Sequence, residues 1–381
     1  MANKKLDSKQ LFQKTLDKDK ETSHAYHKFR QSIRTTSTLK AYNGALDKFM
    51  ILSRLESYDK AVGLKVDDVQ DHLENYIISL KNFSYQTVNQ YMSGVELFFD
   101  MNKVLYHKRI LRKLLSNNDR EPGGKLPYTT EEIERMLSVT TKLRTKAIIH
   151  YFASTGSRPA GIEDPVLRLK HIEDMPHNCK SVYIYDGSKQ GYYAFLTPEA
   201  STALDNYLKH RKLNGDILTE ESPVFSNIEF GKPNDYLKQS SARQMIRDMV
   251  IKSGIEKTKT GKRYDKAIIY GFRKRFNTIL KLNNDVNSNI AEKLMAHKRG
   301  LDGTYLQPTR EECFAEFVKA IPELTITSTE RQKVEIDNKN QEIETLESKN
   351  QDLEMQKDEI KRLTQSVRFL MKKEEAKQIT N

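Results

Sequence analysis

The sequence is poor in cysteine, has no tryptophan and carries no long apolar run, and each absence narrows what the chain can do. Its two cysteines, Cys179 and Cys313, are too few for a disulfide framework or a four-thiolate zinc site, which fits a reducing, intracellular setting. No apolar stretch approaches the roughly 18 residues of a membrane span. The charged residues 1–20 lack the apolar centre of a secretory leader, so no membrane partner is expected. Phosphate-cradling motifs are missing as well. Neither G-x-x-x-x-G-K-[ST] nor G-x-G-x-x-G occurs, and the glycine-lysine stretch 254–262 lacks Walker spacing. There is no G-x-S-x-G elbow. His171, His177 and Cys179 have no fourth ligand at zinc spacing. No compact Asp/Glu cluster suggests two-metal chemistry. ATPase, zinc-enzyme and metal-nuclease readings are all poor, and no cofactor is expected.

What is present is charge, unevenly spread. The 381 residues hold 64 Lys+Arg against 52 Asp+Glu, a net +12. Residues 328–381 hold 12 acidic and 11 basic side chains, net −1, which leaves +13 on residues 1–327. A basic body with a near-neutral tail points to a bound polyanion, most often nucleic acid. A solvated basic surface without a partner would carry the same charge. At about 150 residues per domain the length suggests two domains and an extra segment.

Pattern along the chain locates these parts. Residues 1–34 are polar and lysine-rich and read as a loosely ordered basic arm. Three helical stripes follow within 35–115: Leu39, Tyr42, Leu46 and Phe49 after a Thr/Ser cluster; Val69, Leu73, Tyr76, Ile77 and Leu80; and Val88 to Phe99 behind Ser84. They predict a small helical bundle with lysines and arginines such as Lys48, Lys108 and Arg112 on its polar positions. Residues 116–127, with two glycines and two prolines, read as a linker. A second domain, 128–325, opens on a Thr-x-x-Glu capping box at Thr129. Helices are predicted at 143–152, ending at Thr155-Gly156, and around 242–250, 267–282, 288–296 and 311–320. Residues 181–186 and 192–196 flank a Gly-containing turn and predict a hairpin, followed by a helix opened by Thr197-Pro198. The fold class is therefore mainly α with a small β-sheet. In the tail, 328–378, Leu346, Leu353, Ile360 and Val367 recur every seven residues as d positions, with Ile336, Ile343, Asn350, Lys357, Thr364 and Met371 at a. This predicts a coiled coil and self-association, and a single charged helix is the alternative.

Cationic residues gather at the turns and helix ends of the second domain. Arg158 follows the turn Ser154-Thr155-Gly156-Ser157, and Lys189 lies at the hairpin tip. Tyr270 and Arg273 are three apart on one helix face. His297 ends another helix, and Tyr305 follows eight residues later, after the loop 300–304. Two arginines, a lysine and a histidine suit one oxyanion, because guanidinium forks match phosphate oxygens and stay charged.

In these residues the sequence resembles the tyrosine recombinases, the integrases and resolvases related to phage lambda integrase. The family's order is an Arg after a Thr-Gly turn, a hairpin Lys, a His-x-x-Arg box, a His or Trp, and a nucleophilic Tyr. Arg158, Lys189, Tyr270 with Arg273, His297 and Tyr305 match it in order, and the likeness spans about residues 35–325. The resemblance implies a core-binding domain at 35–115, a catalytic domain at 128–325, and cleavage of double-stranded DNA through a phosphotyrosyl link without ATP or metal. It also implies a homo-oligomer, a tetramer on DNA, and a cytoplasmic, nucleoid-associated protein. Two departures stand out. The carboxylate that the family places three residues after its first Arg is replaced by Gly161, with Glu163 nearby. Tyr270 stands where the second box begins with His, as in some archaeal integrases, and points to an archaeal mobile element or virus. A type IB topoisomerase-like or telomere-resolving enzyme, or a cleavage-deficient DNA-binding regulator, remain alternatives on the same fold.

Overall fold

The computed structural model describes residues 8–115, 124, 126–227, 235–260, 263–297 and 305–379. Two units divide the chain, Met1–Pro122 and Gly123–Asn381. The division falls inside the expected linker, most of which lies outside the described residues, as does the loop 300–304.

Hydroxyl caps set where helices begin in the first unit. It contains α1 (Ser8–Thr22), α2 (His24–Gln31), α3 (Thr36–Leu52), α4 (Tyr58–Val62), α5 (Val66–Ser79), α6 (Tyr85–Met101) and α7 (Lys108–Leu114). Ser23, Thr35 and Ser84 accept from the backbone N–H groups of Tyr26, Thr38 and Thr87. The predicted stripes of α3, α5 and α6 meet in one core. There the Phe49 ring stands edge-on to Tyr76 and Phe99, with centroids 5.3 and 5.7 Å apart. Burying an apolar side chain of this size stabilises by about 1.5–3 kcal/mol.

The loose arm expected over 1–34 is corrected for residues 8–31, which form α1 and α2. Leu16, Tyr26 and Phe29 are buried in the same core. Asp47 accepts from Lys20 Nζ and Tyr58 Oη, both at 2.7 Å, and Asp59 accepts from the Ala25 N–H at 2.8 Å. Phe12 and Leu16 form a stripe too narrow to stand out among lysines. A helix this lean in apolar residues gains its stability from docking rather than from propensity.

The second unit is mostly helical around a small antiparallel sheet. Its first helices are α8 (Thr130–Ser138), with the full Thr129/Glu132 capping box, and α9 (Leu143–Thr155). The sheet runs β1 (Ile172–Met175), β2 (Cys179–Ile184), β3 (Tyr192–Leu196), with Ile172 opposite Val182 and Lys180 opposite Leu196. The predicted hairpin is β2–β3; β1 is an additional edge strand. Thr197 and Pro198 open α10 (Pro198–Leu213), and α11 spans Gln239–Lys252. A short ribbon, β4 (Lys259–Thr260) with β5 (Arg263–Tyr264), precedes α12 (Tyr270–Leu282). Then come α13 (Ser288–Leu294), α14 (Arg310–Lys319), α15 (Ile321–Leu324) and α16 (Ser328–Ile379). Phe152, Val182, Leu196 and Phe272 share one buried cluster; Phe195, Phe276, Phe314 and Phe317 share a second.

Two local features hold the site and the tail. Gly156 ends α9 at φ 56°, and a Cβ there would lie 2.5 Å from Phe276 Cδ1, so glycine alone fits this turn. The start of α16 is anchored from inside. Arg275 donates to the Glu323 carbonyl at 2.8 Å and to Thr130 Oγ1 at 3.0 Å. Glu199 accepts from the Ile326 and Thr327 N–H groups at 2.5 and 3.2 Å.

Candidate active site

The Gly156 turn delivers Arg158 to the N-cap of a 3-10 turn, Pro159–Ile162. Arg273, in the first turn of α12, points inward and is 6 % exposed. Its Nη1 donates to the Gly156 carbonyl at 2.7 Å, and its Nη2 donates to the Met295 carbonyl at 2.6 Å. The same Nη2 stands 2.8 Å from His297 Nε2. Arginine has no acceptor, so His297 Nε2 accepts and the imidazole carries its proton on Nδ1. Arg158 Nη2 approaches the Ala296 carbonyl at 3.5 Å, on the same turn that holds His297. Three residues far apart in sequence thus meet at one locus.

The electrostatics of this locus are one-sided. Among the described residues no carboxylate pairs with Arg158 or Arg273. Burial lowers the Arg273 pKa, Tyr192 partly offsets this, and Arg158 adds to the fall. Burial also holds His297 below the usual imidazole range. The Glu292 hydrogen bond opposes that shift, while Arg273 and Arg158 reinforce it. Two guanidiniums beside a neutral imidazole make a preformed receptor for an anion.

Lys189 sits in the exposed turn between β2 and β3. It lines a cavity of about 530 Å³ together with Tyr193, Lys293, His297 and Gln307, so the hairpin lysine and the histidine border one space. Tyr270 opens α12 and is exposed, unlike Arg273 three residues on. Tyr305 has helical backbone and is 78 % exposed. Among the described residues no hydrogen bond joins Tyr305 to the two arginines or to His297. Glu163 is turned elsewhere: its Oε2 accepts from the Gln239 N–H at 2.7 Å, at the start of α11.

No protein-family model matches the chain, and no curated protein matches it in sequence. Solved structures do. The Tn1549 transposon integrase in complex with a circular-intermediate DNA aligns at TM-score 0.51 and 16% identity, over 77% of this chain and 97% of that one. The same integrase with transposon right-end DNA gives 0.50 and 19%, over 82% and 99%. The fold is that of the tyrosine recombinases. On this fold the Arg158 turn, the β2–β3 hairpin and the first turn of α12 are the elements that the sequence resemblance singles out.

Three residues beside the locus escape sequence reasoning. Tyr185, at the end of β2, adopts φ 64°, an uncommon conformation for a bulky residue. Burial raises its pKa and Arg158 opposes the rise. Tyr192 is also raised by burial, opposed first by Arg273. Nothing in a strand-like run of tyrosines marks these two as neighbours of arginines. The third is Glu292, whose Oε2 lies 2.5 Å from His297 Nδ1.

Other candidates are used structurally. In the first unit Arg112 and Lys108 reach the buried Glu96 at 2.7 and 3.5 Å, and Lys48 Nζ lies 4.2 Å from the Phe83 ring centre. Burial pushes the Cys179 thiol up to about 12 and that of Cys313 to about 11, so both stay protonated and unreactive. Among the described residues no group of three His, Cys, Asp or Glu side chains is placed to hold a metal, and no helix is long and apolar enough to cross a membrane.

Proposed function

We propose that this chain is a site-specific DNA recombinase or integrase that cuts and rejoins strands through a covalent tyrosine intermediate. The observation that carries the proposal is the pair Arg158 and Arg273, unmatched by any carboxylate among the described residues, with Arg273 against His297 and Arg158 at the Ala296 carbonyl beside it, on a tyrosine recombinase fold. The two guanidiniums hold the non-bridging oxygens of a DNA phosphodiester and stabilise the charge that grows on them. Tyr305 Oη attacks the phosphorus, forming the phosphotyrosyl bond while the bond to the 5′ oxygen breaks. Lys189 gives a proton to that leaving oxygen. His297, through its unprotonated Nε2, takes up the proton released by Tyr305 and, once protonated there, donates to the phosphate. Tyr270 donates to the phosphate through its phenol hydroxyl. The phosphoester is conserved in the intermediate, so a second strand's hydroxyl can reseal it without ATP.

Double-stranded DNA is the proposed partner, bound through the basic units 35–115 and 128–325. The tail, through its a and d positions, joins copies of the chain in the assembly. Nicked duplexes carrying randomised sites, incubated without divalent metal and then denatured, test the chemistry. A protein–DNA adduct is expected from the wild type and none from Tyr305→Phe. Duplexes that are bound and never cleaved would make the chain a DNA-binding regulator instead. Joining between two duplexes, rather than relaxation of one, separates a recombinase from a topoisomerase.

A further inference from the structure

Where the resemblance leads one to expect a carboxylate, the chain has Gly161, and any side chain there would be tight against β2. A Cβ on Gly161 would stand 3.0 Å from Ile184 Cγ2 and 3.8 Å from Ser157 Oγ. Glu163 is committed to the start of α11. The carboxylate that does reach the locus arrives from another element. Glu292, on α13, accepts from His297 Nδ1 at 2.5 Å with Oε2, while its Oε1 lies 2.6 Å from Lys281 Nζ on α12. Lys281, Glu292, His297 and Arg273 therefore form a continuous relay, with Lys281 and Arg273 on the same helix.

We propose that Glu292 is the positioning residue of this site: it fixes His297 in the Nδ1–H form, so that Nε2, as an acceptor, is the nitrogen presented to the arginine pair and to the attacking tyrosine hydroxyl. The proposal rests on the strand-transfer reading for its purpose, but not for its geometry. An Nδ1–H held by a carboxylate cannot swing its proton to the other nitrogen, and the orientation of the ring is set with it. When a phosphate takes over the Arg273 Nη2 donor, the freed Nε2 lone pair is ready to accept the proton of the attacking tyrosine. Lys281 keeps Glu292 ionised. Burial raises the Glu292 pKa, and the hydrogen bonds from Lys281 and His297 outweigh it. The groups that set the proton affinity of His297 are Glu292 on α13, Arg273 on α12, and Arg158 beyond α9. Lys293 and Lys189 border the same cavity.

Long-range ¹H–¹⁵N spectra of histidine-labelled full-length protein read the tautomer directly, with the His297 signal assigned by its loss in His297→Gln. The wild type should show the Nδ1–H form. Glu292→Gln can still accept from Nδ1, so it should keep the tautomer while its imidazole titrates at lower pH. With inorganic phosphate on the arginine pair, so that Arg273 no longer holds Nε2, Glu292→Leu should lose the preference and mix both forms while the wild type keeps it. On nicked duplex, single-turnover cleavage should fall by about tenfold to a hundredfold in Glu292→Leu, the range seen when an orienting carboxylate is removed from a histidine. Glu292→Gln should lose less and shift its pH profile toward acid; Lys281→Met, which removes a cation from Glu292, should shift it weakly the other way. A His297 tautomer unchanged in phosphate-bound Glu292→Leu, with its melting temperature retained, overturns the proposal whatever the cleavage rates. A wild type that never forms a DNA adduct, yet shows the tautomer change in Glu292→Leu, sinks the strand-transfer reading and leaves the positioning role standing.

Discussion

Two residues apart on α12, Arg273 and Arg275 are both buried and both donate to backbone carbonyls, yet their surroundings differ in sign. Around Arg275 the charges balance. Burial draws its pKa down to about 10, and Glu199, itself raised by burial, pulls the other way. The Arg275 guanidinium is spent on Thr130, Glu323 and Leu324, which fasten the root of α16 to the body of the unit. Around Arg273 the neighbours are a second arginine, three tyrosines and a neutral histidine. Folding tolerates a buried cation when an acid or a set of carbonyls matches it. A cationic pair with no acid of its own is matched by an anion from outside, and a DNA phosphate has the charge and the oxygens to do so.

Exchanging the two arginines for alanine is the strongest way to break this comparison. Arg273→Ala should reduce cleavage of a nicked duplex by at least roughly 10²–10³-fold, as loss of a charge-stabilising donor does. Relief of the self-repelling pair offsets part of the cost of stranding the Gly156 and Met295 carbonyls, so its melting temperature should fall less than that of Arg275→Ala. Arg275→Ala should do the reverse. It strands the Glu323 and Leu324 carbonyls, a loss of about 1–3 kcal/mol for each buried group left unpaired, while cleavage per folded molecule stays near wild type. Equal destabilisation by the two substitutions, read by thermal melting, would mean that Arg273 is a structural arginine like its neighbour.

Much of this contrast was legible in the sequence, for local reasons. Thr129 with Glu132, Thr197 with Pro198, and Ser84 carry their helix starts in their own chemistry, and the structure places helices there. The Thr155-Gly156 turn before Arg158 could be read the same way, because an αL cap advertises itself as glycine. Contacts made only in three dimensions were not legible. Strand β1 reads Ile-Glu-Asp-Met, with no strand-like alternation, and is a strand because β2 offers it an edge. Helix α1 hides among lysines until Leu16 finds the core of the first unit. The pairing of Glu292 with His297 needs the turn after α13, where Ala296 adopts φ 52°, and no spacing rule marks a carboxylate five residues before a histidine.

The balanced side of the comparison has its own pH signature, smaller than the first effect. His150, on α9, is held well below its ordinary 6.5, at about 4, by burial with Lys146 adding to the shift. Glu199 Oε1 stands 3.9 Å from His150 Nδ1, beyond hydrogen-bond reach, so burial decides and the imidazole is neutral in the fold. A histidine that is neutral when folded and free to protonate when unfolded contributes its full stability above pH 6.5. That contribution, on the order of 3 kcal/mol, is lost as the pH falls through about 4. Melting temperatures of the wild type should therefore drop between these limits, and His150→Gln should flatten the drop. Identical slopes for the two proteins would show that other groups govern acid unfolding.

The smallest effect on stability is expected where the anchor ends and the tail begins. The root of α16 is held by Arg275, Glu199 and the Ser328 contact to Glu134, all of which survive deletion of residues 335–381. Beyond it the apolar side chains face solvent: Ile336 is 57 % exposed and Val367 53 %. Such residues add almost nothing to the body of their own unit, so the truncated chain should melt within about 0.5 kcal/mol of the full one. Its mass by sedimentation should nevertheless fall, because the same exposed a and d positions are what a second copy of the helix would cover. A large drop in melting temperature would show instead that α16 docks on its own chain, and an unchanged mass would leave it a lone helix. The Asn350→Leu variant sharpens the point. Removing the polar a residue should strengthen association and loosen its register, which is the opposite of what a solvated single helix would show.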